Sequence, residues 1–395
     1  MMLQMILKRV KRLNGELIRF WIKNGPDPDN GGFYGKHYWT GKPDSKANKG
    51  LIQQARHLWT FSMLYYHKER SEKFKRIADN LYNFIITSFW DKNDNEFYYM
   101  VNANGKVVSK KKQFYAISFA IYSLAQYAQA FGHREAIELA LNCADSICKR
   151  GHDPRYGGFD QRNDPGWLKP SSSKELNTHL HLLESFALLY KVTRNKNIGK
   201  FLAGLYEVFL NNIIDSRSYC HPEFKQNWSP VYEPTVSYGH DLEAVWLLYE
   251  AAKALGRDGE PGLLKKLKVV GQHSSEQGFD PENGGYFYIG VAGIGPVDKR
   301  KVWWVQAEAL AGLWCLYRLT RDKVHLKRLE KTLDWIEQYQ RDAERGEWYG
   351  YVTSQGQPCN KEEPKGHEWK CSYHNIRALT FLEKWIIAER NGAGY

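Results

Sequence analysis

Apolar residues recur at i, i+3, i+4 and i+7 in paired stretches along this chain, the spacing of helices with one buried face. Five such pairs are legible: 55–67 with 72–89, 119–131 with 135–149, 180–193 with 199–214, 241–255 with 263–272, and 307–320 with 326–340. The first helix of each pair is the more apolar, as an inner ring covered by an outer one would be. One unpaired helix opens the chain at 3–22 and another closes it at 376–390. If these two meet they form a sixth pair and close the ring, which removes the need for the capping repeats of an open solenoid.

A Gly- or Asn-rich turn followed by aromatics separates the pairs: DNGGFYG at Phe33, NDNEFYY at Phe97, RYGGFD at Phe159, ENGGYFY at Tyr286 and GEWYGY at Tyr349. Copies recur roughly every 62 to 64 residues except across one double gap, near whose middle SRSYCHPEF gives a degenerate copy at Tyr219. Six copies predict an all-α (α/α)6 barrel of six helical hairpins, with strands confined to short β-hairpins in the loops. No Pro-, Gly- or Ser-rich linker interrupts the chain, so residues 1–395 read as a single domain.

Composition adds to this picture in a few places. Fourteen Trp, 25 Tyr and 18 Phe are a heavy aromatic load, and aromatic faces in open clefts stack on sugar rings and bases. A net charge of +12 raises nucleic acid as a partner. The Lys/Arg clusters at 8–12, 110–112 and 265–266 fall on outer faces or loops with no nucleic-acid motif beside them, so they read as solvated surface. Six scattered cysteines without a CxxC pair, and no signal peptide, predict free thiols in a reducing, cytoplasmic setting. No uncharged stretch approaches the ~18 residues of a membrane span.

The start of each inner helix carries polar and aromatic residues that core packing does not ask for. Arg56, Tyr115, His181, His240, Trp304 and Trp369 lie about one repeat apart, and equivalent positions of a ring converge at one end of its axis. His181, His240, His374, Glu243, Glu308 and Arg56 are therefore expected to face one pocket. Trp304 and Trp369 are suited to stacking on a sugar. His179 is out of phase and reads as structural, and Asp241 and Glu184 read as helix-start or supporting groups. Zinc on the three histidines and a Glu is a rival, but no HxxxH or HExxH is present, so no metal is expected. Glu243 and Glu308 could serve as the two carboxylates of a glycoside hydrolase, although histidine outweighs Asp in the clusters. Imidazole accepts or donates a proton near neutral pH without large tuning. Two histidines on opposite faces of a bound sugar, each beside a carboxylate, could thus invert a carbon next to an aldehyde, with Arg56 and a third His stabilising an enediolate oxygen.

The motifs GGFYG, KGLIQQARHLWTFS, NTHLHLLESFALLY, SYGHDLEAVWLL, KVWWVQAEALAG and EWKCSYHNIRAL span nearly the whole chain. In this order they resemble the N-acylglucosamine 2-epimerase superfamily, most closely its cellobiose 2-epimerase branch. The resemblance implies a cofactor-independent reaction through a cis-enediolate, with His374 taking the C2 proton and His240 acting from the other face. It also implies that Glu243 orients His240, that His181 and Arg56 bind around O1 and O2 with Tyr115 and Asn177 assisting, and that Trp304 and Trp369 stack on sugar rings with Glu308 supporting them. The expected substrate is the reducing-end glucose or mannose unit of a β-1,4-disaccharide, or a free aldose. Aldose–ketose isomerisation and N-acylglucosamine 2-epimerisation are the alternatives, and a monomer or homodimer is expected. The chain departs from the branch at Ser372, where Pro is usual, in GEWYGYV, and in a shorter segment 158–176.

Overall fold

Twelve α-helices form from these patterns in a computed structural model that describes residues 2–160, 173–217, 219–231 and 235–392. They are α1 (Met2–Asn24), α2 (Leu51–His67), α3 (Glu72–Ser88), α4 (Phe114–Phe131), α5 (Arg134–Gly151), α6 (Leu176–Thr193), α7 (Lys196–Val208), α8 (Tyr238–Leu255), α9 (Pro261–Gln277), α10 (Trp303–Thr320), α11 (Lys323–Trp335) and α12 (Tyr373–Arg390). The even-numbered helices pack side by side in the order α2–α4–α6–α8–α10–α12, and α12 returns to α2. The odd-numbered helices cover them, and α1 packs on α12. A buried hydrogen bond from Asn14 Nδ2 to Thr380 Oγ1 (2.9 Å) ties that terminal pair. The expected (α/α)6 barrel is therefore closed by its two ends.

Burial follows the two kinds of helix. Inner α4 is buried continuously from Phe114 to Ala128, because neighbours and the axis cover every face. Outer α3 buries only Phe74, Ala78, Leu81, Tyr82, Phe84 and Ile85, one stripe at helical spacing. Every inner helix starts earlier than the apolar period predicts: at Leu51, Phe114, Leu176, Tyr238, Trp303 and Tyr373. The first turns interrupt that period because they carry the polar clusters, whose side chains face an axial pocket instead of the core.

The recurring loops owe their shape to a buried ion pair. Asp27, Asp91, Asp153, Asp280 and Asp342 each accept backbone N–H groups of their own turn and a lysine that precedes the next inner helix. The lysines are Lys49 (2.7 Å), Lys112 (2.8 Å), Lys174 (2.7 Å), Lys301 (2.7 Å) and Lys365 (2.7 Å). In the degenerate copy Asp215 takes His221 instead, at 2.7 Å. Burial opposes ionisation of Asp280, yet Lys301 and the turn N–H groups hold its carboxyl below the usual range. Lys49, Lys174 and Lys301 also donate to the glycine carbonyls of Gly31, Gly157 and Gly284.

A second device fastens five of the six loops to the inner ring. Gln54 brackets the backbone N–H and C=O of Phe33 (2.8 and 2.9 Å), and Gln306 does the same to Tyr286 (2.8 and 2.8 Å). His179 accepts from Phe159 N (2.9 Å), and Asp241 accepts from Cys220 N (2.9 Å). Both are structural, as expected. In the last loop Glu347 occupies a left-handed position (φ 60°) that suits glycine, and its carboxylate takes Trp21 Nε1 (2.5 Å) and Asn375 Nδ2 (2.7 Å). That strained residue joins α1 to α12.

Candidate active site

The clamp register decides which side chains reach the axis. Two residues after Gln54, His179, Asp241, Gln306 and Asn375 come Arg56, His181, Glu243, Glu308 and Arg377. All five are buried, between 0% and 2% exposed. One residue before Asp241 and Asn375 come His240 and His374. Convergence of these positions forms a cavity of about 180 Å³ at the end of the barrel where the inner helices begin. Arg56, Tyr115, Asn177, His181, His240, Glu243, Trp304, Trp369 and His374 all line it. Glu308 lies directly behind His374. Trp303 and Tyr288 complete the wall, the latter just ahead of the loop strand Ile289–Val291, which pairs with Thr235–Ser237 ahead of α8.

His374 Nδ1 donates to Glu308 Oε1 at 2.7 Å, which leaves Nε2 with a free lone pair. His181 Nδ1 donates to Glu184 Oε2 at 2.9 Å. His240 has no carboxylate; its Nδ1 is 2.9 Å from Ser237 Oγ. Two implied roles are corrected here. Glu243 does not orient His240, because its Oε1 takes Arg377 Nη2 at 2.6 Å. Glu308 does not support Trp304 and Trp369; besides His374 it accepts from Trp246 Nε1 (3.0 Å) and Arg377 Nη2 (2.7 Å). The sequence reading missed Arg377, the hub of this network. Its guanidinium also bonds Glu184 and the Tyr373 hydroxyl, so both histidine–glutamate pairs rest on it. The signal was available, since Arg377 stands at the register position of Arg56, His181, Glu243 and Glu308.

Burial sets the charges. It pushes His240 down to about 4, helped by the nearby His181. His374 lies well below the ordinary imidazole value because it is buried and faces Arg56 and Arg377. Burial also lowers His181, although Glu184 acts the other way. The three histidines are therefore neutral at pH 7. Glu243 is pushed well above the carboxylate range by burial and by the charge of Glu308, while Arg377 acts the other way. Ligand atoms of Glu243, Glu308 and His374 lie within 4.8 Å of one another, a spacing a metal ion could use. The Arg377 guanidinium already neutralises that pair of glutamates.

The remaining residues shape the opening. Arg56 donates to Tyr115 Oη (2.7 Å) and the Trp369 carbonyl (3.1 Å), and its guanidinium lies 4.1 Å over the Phe119 ring. Asn177 lines the pocket, and its Oδ1 is buried without a hydrogen-bond partner. Trp304 packs against both His240 (4.7 Å between ring centroids) and His374 (5.9 Å). Trp369, 42% exposed, stands at the mouth. Ser372, one of the departures, hydrogen-bonds the buried His57 Nδ1 at 2.8 Å and stays outside the pocket. Most of the short segment 158–176 lies outside the described residues.

A ring of neutral histidines around a small aromatic-walled pocket narrows the field, and comparison with known proteins decides the family. The N-acylglucosamine 2-epimerase (GlcNAc 2-epimerase) family matches residues 32–378. This chain belongs to that family. It is similar to the cellobiose 2-epimerase of Bacteroides fragilis, 32% identical over 93% of this chain and 95% of that one. The cellobiose 2-epimerase of Dictyoglomus turgidum is also 32% identical, over 95% and 97% of the two chains. Among solved structures, cellobiose 2-epimerase from Spirochaeta thermophila superposes with a TM-score of 0.92 at 32% identity, covering 98% of each chain. Among the described residues no helix is long and apolar enough to cross a membrane.

Proposed function

We propose that the protein is a cofactor-independent sugar 2-epimerase acting on the reducing-end glucose or mannose unit of a β-1,4-disaccharide such as cellobiose. The observation that carries this reading is the pair of neutral histidines packed against Trp304 in one pocket, in a chain whose relatives at 32% identity are cellobiose 2-epimerases. His374 Nε2 removes the C2 proton of the open-chain sugar, and Glu308 stabilises the imidazolium that results. His240 returns a proton to the opposite face. It does so as the imidazolium, having taken the O1 hydroxyl proton as the pyranose ring opened, so that donation leaves a neutral ring and not an imidazolate. Arg56 and His181 are hydrogen-bond donors for the negative charge that grows on the enediolate oxygens. Helix N-termini surround the same point and favour that charge. Trp369 and Trp304 give apolar faces to the sugar rings, and Tyr115 and Asn177 bind hydroxyls.

Incubation with cellobiose, mannobiose, glucose, mannose and N-acetylglucosamine in heavy water tests the proposal. The expected result is a C2-epimer carrying deuterium at C2. Ketose as the main product would favour aldose–ketose isomerisation, which shares the enediolate. Two monosaccharides from cellobiose would point to hydrolysis, and no deuterium in any sugar would overturn the proposal.

A further inference from the structure

A larger cavity occupies the other end of the barrel axis. The C-terminal halves of α2, α4, α6, α8 and α12 enclose about 420 Å³ there. Its walls are aromatic: Trp59, Tyr122, Trp246, Phe381 and Trp385. Trp246, Phe381 and Trp385 form a continuous edge-packed surface with centroids 5.6 to 6.2 Å apart. Lys191, Arg194, Lys253 and Lys384 stand around it. Lys253 is 3.5 Å from Glu250. The polar partners of the others are weak: Lys384 meets His67 Nδ1 at 3.4 Å and Arg194 meets the Ala254 carbonyl at 3.4 Å.

Cations near helix C-termini can simply offset the helix dipole, an effect that fades beyond the last turn. That accounts for Lys191 and Lys253. It does not account for Lys384, which precedes the end of α12 at Arg390 by more than one turn. Burial and the charge of Lys191 both push Lys384 below the usual lysine value. Glu250, which pairs with Lys253 on the same wall, offsets part of this charge, and Lys191, Arg194 and Lys384 remain around an aromatic-walled space as an excess of positive charge that an anion relieves.

We propose that this end of the barrel is a second ligand site, taking a small molecule with a flat apolar body and an anionic group. The apolar body packs on Trp246, Phe381 and Trp385, and the anion sits among Lys191, Arg194 and Lys384. The cavity floor includes Glu184, which holds His181 of the sugar pocket.

The full-length protein titrated with 1-anilinonaphthalene-8-sulfonate, followed by probe fluorescence, tests this. Saturable binding is expected, weakened at least tenfold in the K191E/K384E double variant and unchanged in Trp369→Ala, which alters only the sugar pocket. The uncharged probe N-phenyl-1-naphthylamine serves as a control that needs no variant, and it is expected to bind the native protein at least tenfold more weakly. Equal affinity for the two probes, unchanged affinity in the double variant, or loss of binding in Trp369→Ala would each overturn the proposal.

Discussion

The two walls of the sugar pocket hold their histidines differently. On the α10–α12 side, His374 is fixed by a buried glutamate that Arg377 also holds. On the α8 side, His240 rests on a single serine hydroxyl, and no charge touches its Nδ1. A carboxylate behind an imidazole accepts its N–H, fixes its tautomer and stabilises its protonated form, whereas a serine hydroxyl can donate or accept and has little effect on basicity. In the proposed mechanism this asymmetry goes with different tasks: His374 accepts a proton from a weak carbon acid, and His240 delivers one.

Removing the base should have the largest effect. His374→Ala is expected to lower kcat by about 10³- to 10⁴-fold in a product assay with cellobiose, while His240 and the donors persist. Arg377→Met should come next, acting on stability as well as activity. It strands Glu184, Glu243 and Glu308 in the interior, and breaking such buried pairs costs about 3–5 kcal/mol, measurable by urea unfolding. Unchanged stability would show that the network does not need its cation.

How much of this was legible beforehand depended on what each residue packs against. The barrel, its six hairpins and the pocket-facing side chains follow from apolar spacing and loop repeats, because burial of one face writes itself into the sequence. Helix starts differ from the apolar pattern because residues such as Asn177, Trp304 and His374 face a pocket and break the apolar period. The partners of Glu243 and Glu308 were also misassigned. Side chains from α6, α8, α10 and α12 converge on Arg377 across the barrel, and linear proximity of Glu243 to His240 says nothing about that convergence. The loop lysines follow the same rule: Lys112, which reads as solvated surface in the 110–112 cluster, is instead 1% exposed and pairs with Asp91 of the preceding turn, a partner that linear sequence does not show.

The walls can be compared directly by removing each partner in turn. Glu308→Gln is expected to cost about 10²-fold in kcat and Ser237→Ala about tenfold, the range for groups that orient a reacting imidazole. Equal losses would erase the distinction between them. The smallest effect is on pH dependence. Because burial and the charges of Arg56 and Arg377 hold the base His374 well below the ordinary imidazole value, kcat/KM should stay level as pH falls through 6.5. An acid limb at 6.5 would mean that the histidines titrate freely. Stability should fall as pH drops from 6.5 toward 4. His37, His179 and His240 are lowered from 6.5 to about 4 in the folded chain, so the unfolded chain binds protons that the folded one refuses. Melting temperature against pH measures this directly.

The central claim is that two histidines act from opposite faces of C2, and separating exchange from inversion tests it most directly. His240→Ala incubated with cellobiose in heavy water should exchange the C2 proton for deuterium through His374 while forming almost no epimer. Loss of exchange together with epimer formation, or epimer formation that survives the substitution, would contradict the account.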